Sequence, residues 1–170
     1  LLLGTPNGTA ADSDKNAKLN HYQEHGLRFD YDRKLTVEAE LSEKVLTLNL
    51  KGRRELAFTI QVADLPLAGQ AYAESVLTGM RDGMSQGGAK VQAIKSVKKS
   101  IGGVERMGKA FEYKLIGSEF YYQALGWDVE NAPGQKRVFF LSIQYPPNKE
   151  ASLKSLIDPI LSSLRWVPKE

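Results

Sequence analysis

Apolar residues along this chain recur every second position, then every third or fourth, then every second position again. That change of period fixes the kinds of element the chain can form. Leu27, Phe29 and Tyr31 alternate with Arg28, Asp30 and Asp32, as on a strand with one face buried. Thr36 to Leu41 alternates weakly, and Val45 to Lys51 sets Leu46, Leu48 and Leu50 on one side. Gly52-Arg53-Arg54 reads as a turn, and Leu56, Phe58, Ile60 and Val62 form the next apolar face, so the pair predicts a hairpin. From Gly69 to Gln86 the spacing of Tyr72, Val76, Met80 and Met84 predicts an amphipathic helix, with Ala73 and Leu77 beside the stripe. Gly87-Gly88 should end it.

A second block returns to period two. Strands are expected at Val91–Val97, Lys109–Gly117, Phe120–Val129 and Arg137–Tyr145. Turns are expected at Ile101–Val104 and Asn131–Gly134, and Pro146-Pro147 closes the block. Leu153, Leu156, Ile157, Ile160, Leu161 and Leu164 then predict a terminal helix over 148–164, with Asn148 as N-cap and Pro159 as a kink. Tight turns between strands imply antiparallel pairing. Strands apolar on both faces, such as that around Trp127, imply cover on both sides. The expected class is α+β: an antiparallel sheet flanked by helices, an α/β/α sandwich.

With 170 residues, 42% of them hydrophobic, the chain suffices for one domain with an ordinary core. Residues 1–18 read as a polar tail and 19–170 as that domain. Leu1-Leu2-Leu3-Gly4 before a polar spacer resembles the end of a signal peptide or membrane anchor, which suggests an exported, periplasmic, lipoprotein or membrane-anchored protein. No apolar run approaches the ~20 residues of a membrane-spanning helix. The net charge of +3 is too small to suggest a nucleic-acid partner. The lack of cysteine excludes thiol nucleophiles, disulfides and thiolate-bound metals.

The sharpest chemical pattern is His21-Tyr22-Gln23-Glu24-His25, which matches the H-x-x-E-H signature of inverted zinc proteases. That chemistry needs a helix. On a strand, four steps of ~3.3 Å set the imidazoles ~13 Å apart, too far for one zinc, and the sequence holds no third histidine. No metal, no cofactor and no catalytic residue is expected. No serine stands in G-x-S-x-G. The acid pairs Asp30/Asp32 and Glu38/Glu40 read as solvated strand faces.

Charge is uneven. Between Lys90 and Lys114 stand seven basic residues against two acids. Lys95, Lys98, Lys99, Arg106 and Lys109 are expected to share one positive surface that meets an acidic protein or an anionic surface. Aromatic residues crowd the strands from Phe111 to Phe140. They predict either core packing or a pocket for an apolar ligand between sheet and helix, with Trp127 and Tyr122 as its candidate residues.

Gly26-Leu27-Arg28-Phe29-Asp30-Tyr31-Asp32 is similar to the opening strand of PsbP-like domains. Ser100-Ile101-Gly102-Gly103-Val104, leading into Phe111-Glu112-Tyr113, resembles that family's second-half hairpin, and Leu161-Ser162-Ser163-Leu164-Arg165-Trp166 resembles its terminal helix. The family includes the extrinsic photosystem II subunit, a Ran-binding nuclear-import factor, and bacterial periplasmic proteins and lipoproteins. The resemblance implies an antiparallel α/β/α sandwich without shared catalytic residues. The function expected is that of a non-catalytic accessory domain of the bacterial envelope, binding another envelope protein. The alternative is a binder of a small apolar or lipid-like ligand.

Overall fold

The computed structural model describes residues 19–167. The expected tail, 1–18, lies outside the described residues. From residue 19 the chain forms β1 (Leu19–Glu24), β2 (Leu27–Asp32), β3 (Thr36–Leu41), β4 (Val45–Lys51) and β5 (Ala57–Ala63). Helix α1 (Gly69–Gln86) follows, then β6 (Lys90–Val91), β7 (Lys95–Ile101), β8 (Val104–Leu115), β9 (Ser118–Ala132) and β10 (Gln135–Tyr145). A 3-10 turn at Pro147–Lys149 leads into α2 (Glu150–Ser163), and β11 (Arg165–Trp166) ends the described chain.

Eight strands make one antiparallel sheet in the order β3-β4-β5-β10-β9-β8-β6, with β7 also paired to β8. Helix α1 covers one face. Its Ala73 and Leu77 pack on Phe111, Tyr113, Tyr122 and Phe140. The opposite face meets α2 through Leu153, Leu156, Ile160 and Leu161, packed with Leu48, Phe58, Leu125 and Leu141. The fold is α+β, a sheet flanked by helices on both faces.

One layer differs from the expectation of helices alone. Strands β1, β2 and β11 form a separate three-stranded sheet that shares the α2 face, with Tyr22, Leu27 and Phe29 in its core. Length explains this. Strands β6 and β7 share one edge of β8, so the sheet is seven strands wide. With ~4.8 Å between neighbours it spans ~29 Å, whereas the 14 residues of α2 make a rod only ~21 Å long.

Three local expectations are corrected. Asn148 caps no helix, because it lies inside the 3-10 turn and Lys149 takes the cap position without a side-chain bond. The strand expected at Val91–Val97 is split. Val91 pairs with Tyr113 but Lys95 with Ala110, so the edge holds one residue more than β8 opposite it, a bulge that reverses which face each later side chain takes. Third, β1 stops at Glu24, and His25 enters the turn with φ 54°.

Candidate functional site

Two hollows flank Trp166 at one end of the α2 face. The first, about 280 Å³, lies between the β7–β8 turn and the end of α2. Gly102 and Val104 form its rim, Trp127 and Phe139 its floor, and Arg165 and Trp166 its far wall. Trp127 is stacked on Phe139, with ring centres 4.4 Å apart and planes at 12°. The Arg106 guanidinium sits 5.1 Å above the Trp127 ring, a cation–π arrangement. Burial lowers its pKa by stripping water from the charge. Its Nε is buried and has no hydrogen-bond partner.

Trp166 is fixed from several directions. Its Nε1 donates to the Glu130 carbonyl at 3.0 Å, and the Arg137 guanidinium lies 5.9 Å from its ring centre. Arg137 is itself held by Asp64, at 3.2 and 3.4 Å. Gly26, at φ +80°, lies so close that a Cβ there would stand 2.9 Å from the indole. Beyond Trp166 lies the second hollow, about 310 Å³, bounded by His25 and Gly26, by Leu41–Leu46 of the β3–β4 hairpin, and by Arg137.

The first hollow is lined by aromatic, aliphatic, glycine and arginine residues. Its lining holds no histidine, serine, aspartate or glutamate, so it lacks a nucleophile and a general base. Among the described residues no three of His, Asp and Glu come together as a metal would require. His21 is engaged with Asp30 across β1 and β2, Nδ1 to Oδ1 at 2.6 Å. His25 lies 3.9 Å from Glu24, in the turn.

No family model and no curated protein matches the chain. Solved structures do. The solution structure of PsbP (CyanoP) from Synechocystis sp. PCC 6803 superposes with a TM-score of 0.54 at 16% identity, covering 96% of this chain and 98% of that one. The fold is PsbP-like. Two further structures are similar at lower scores. LpqN, involved in cell envelope biogenesis of Mycobacterium tuberculosis, gives 0.49 at 11% identity over 96% of this chain and 100% of its own. The Saccharomyces cerevisiae Ran-binding protein Mog1p gives 0.44 at 11% over 88% and 96%.

Within this PsbP-like sandwich the residues singled out from sequence divide. Lys95, Lys98, Lys99, Arg106 and Lys109 do not share one surface. Cross-strand partners project to the same side, and register pairs Lys99 with Arg106 but Lys98 with Met107 and Ser96 with Lys109. Lys95, Lys99 and Arg106 therefore point to the α2 side. Lys98 and Lys109 point to the α1 side, where Lys98 meets Glu105 at 3.0 Å and Lys109 meets Ser96 at 3.3 Å.

Trp127 and Tyr122 also part. Trp127 packs with the α2-side core and Tyr122 with the α1-side core, so they form no common pocket. On the α1 side the space between sheet and helix is filled. About 50 Å³ remains there, beside Ala73, Met107 and Gly126, against the several hundred Å³ of ordinary ligand pockets.

No local sequence pattern joins Trp166 or Arg165 to Trp127. Their one signal was the apolar-aromatic close of the chain after α2. Pairing of β11 with β2 brings them in, Arg165 opposite Arg28 and Trp166 opposite Leu27.

Proposed function

We propose that this chain is a non-catalytic binding domain that docks another protein at the hollow beneath Arg106. One observation carries the reading: a guanidinium stacked on Trp127, its Nε buried and unpartnered, faces a concave apolar surface. The buried Nε lies out of reach of solvent, so the terminal N–H groups of the guanidinium are those that would donate to a carboxylate or carbonyl of a partner in the hollow. Tryptophan and arginine dominate the energetics of protein interfaces when seated in such pockets. The rim adds apolar surface at Val104, 49% exposed. The cell-envelope setting expected from sequence belongs to this proposal and is checked by fractionating cells that make the full-length protein.

The docking test places a photo-reactive amino acid at Val104 in living cells. Ile116, 96% exposed in the turn at the other end of β8, serves as the comparison position. A discrete cross-linked protein is expected from position 104, absent from 116 and lost with Arg106→Gln. Equal labelling from both positions, or none from 104, overturns the reading.

A further inference from the structure

Two cations, Arg106 and Arg165, line the first hollow, and each stands opposite another cation on the neighbouring strand. Register sets Lys99 directly opposite Arg106, and Arg165 directly opposite Arg28. Opposed like charges destabilise a sheet; at a third such pair, Lys90 opposite Lys114, Glu119 takes up Lys114. Lys51, Arg53, Arg81, Lys98, Lys114 and Arg137 each lie within ion-pair distance of a carboxylate. Among the described residues, none of Arg28, Lys99, Arg106 and Arg165 forms an ion pair. No acid lines the hollow that Arg106 and Arg165 border.

We infer that the docked partner presents an acidic segment, with carboxylates on either side of an apolar or aromatic side chain. This rests on the docking reading above. The apolar side chain would enter between Trp127 and Trp166. Carboxylates would meet Arg106 on one side and Arg165 with Arg28 on the other, where planar guanidinium groups favour two-point contacts. A peptide suits the concavity better than a membrane does. The aromatic floor of the hollow, Trp127 and Phe139, lies below the rim at Gly102 and Val104, and a flat array of lipid headgroups does not reach into such a recess.

The chain has two tryptophans, Trp127 and Trp166, and both line this hollow, so intrinsic fluorescence reports on it directly. The probe is the peptide acetyl-Asp-Glu-Phe-Glu-Asp-amide, compared with its Asn/Gln counterpart and with phosphatidylglycerol vesicles. The acidic peptide should change the emission saturably, bind about tenfold or more tightly than the amide version, and weaken as salt rises. Arg165→Glu should weaken it at least as much while leaving the unfolding temperature unchanged or higher, because the new carboxylate faces Arg28. Lys98→Gln, on the opposite face, should have no effect.

Equal binding of the two peptides, or indifference to Arg165→Glu, overturns the inference. So does a response to vesicles but not to the peptide. A discrete cross-link at position 104 without acid preference would leave docking standing and remove the acidic partner. Peptide binding with no cross-link would leave the hollow as an acid-binding site and overturn the docked protein partner.

Discussion

Tyr145 holds its phenolic proton well above the usual tyrosine range. Burial is the main cause, since it strips water from the phenolate, and the neighbouring Glu150 and Tyr121 add to it. The hydroxyl donates to Glu150 Oε1 at 3.2 Å. In the unfolded chain tyrosine releases its proton near pH 10. Above that pH the folded state keeps a proton the unfolded state has lost, so stability falls as pH rises from about 10 toward the higher folded value. Below pH 10 the contribution is fully present. Tyr145→Phe should cost about 1–2 kcal/mol at neutral pH through the lost hydrogen bond. It should also flatten the alkaline decline in urea midpoint. Tyr121, Tyr122 and Tyr22 are raised in the same direction by burial, so the decline should shrink without vanishing. An unchanged decline between pH 9 and 11 would mean that Tyr145 is not its source.

At the level of elements, backbone meets backbone at points where only glycine fits. The β7–β8 turn touches the end of α2: Gly102 N–H donates to the Leu161 carbonyl at 2.7 Å, and a Cβ on Gly102 would stand 2.5 Å from the Leu164 carbonyl oxygen. Its neighbour Gly103 has φ +82° and nothing within 4 Å of a Cβ. Gly103→Ala therefore adds backbone strain alone, about 1–2 kcal/mol. Gly102→Ala adds that strain plus a clash that pushes the turn off α2, opening the rim of the first hollow. Thermal unfolding should show Gly102→Ala clearly less stable than Gly103→Ala. Equal losses would mean the turn and α2 yield without cost. A similar approach joins α1 to the sheet, where a Cβ on Gly126 would overlap the Gly69 carbonyl and Gly69 N–H is capped by Asp128 Oδ1 at 2.8 Å.

Across the whole molecule, two apolar cores lie on opposite faces of a single eight-stranded sheet. Neither helix layer can leave without exposing strands whose other face is still packed, and shared strands of this kind make unfolding cooperative. Tryptophan emission reports only the α2 side, through Trp127 and Trp166. Near-ultraviolet tyrosine signals from Tyr113 and Tyr122 include the α1 side, and far-ultraviolet dichroism reports the whole. The three transitions should coincide in urea. An earlier fluorescence transition would show the small sheet and α2 opening as a unit of their own.

Most of the elements were legible in the residues. The helix at Gly69–Gln86 and the alternation along β2, β4 and β5 follow from spacing among near neighbours, and spacing is a property of consecutive residues. The same alternation separates Lys98 from Lys99 on any extended strand, because adjacent strand residues face opposite ways. What only the tertiary structure decided is which side each takes. The single extra residue between Val91 and Lys95 reverses the faces along β7 and sends Lys95 and Lys99 to the α2 side. The tertiary structure also decided that Arg165 and Trp166 return to pair with β2, which brings the second tryptophan to the hollow above Trp127. Apolar alternation fixes a strand's buried face but leaves its partner open, and a register slip of one residue exchanges the faces. The elements were therefore written locally, while the site was assembled by pairings between distant segments.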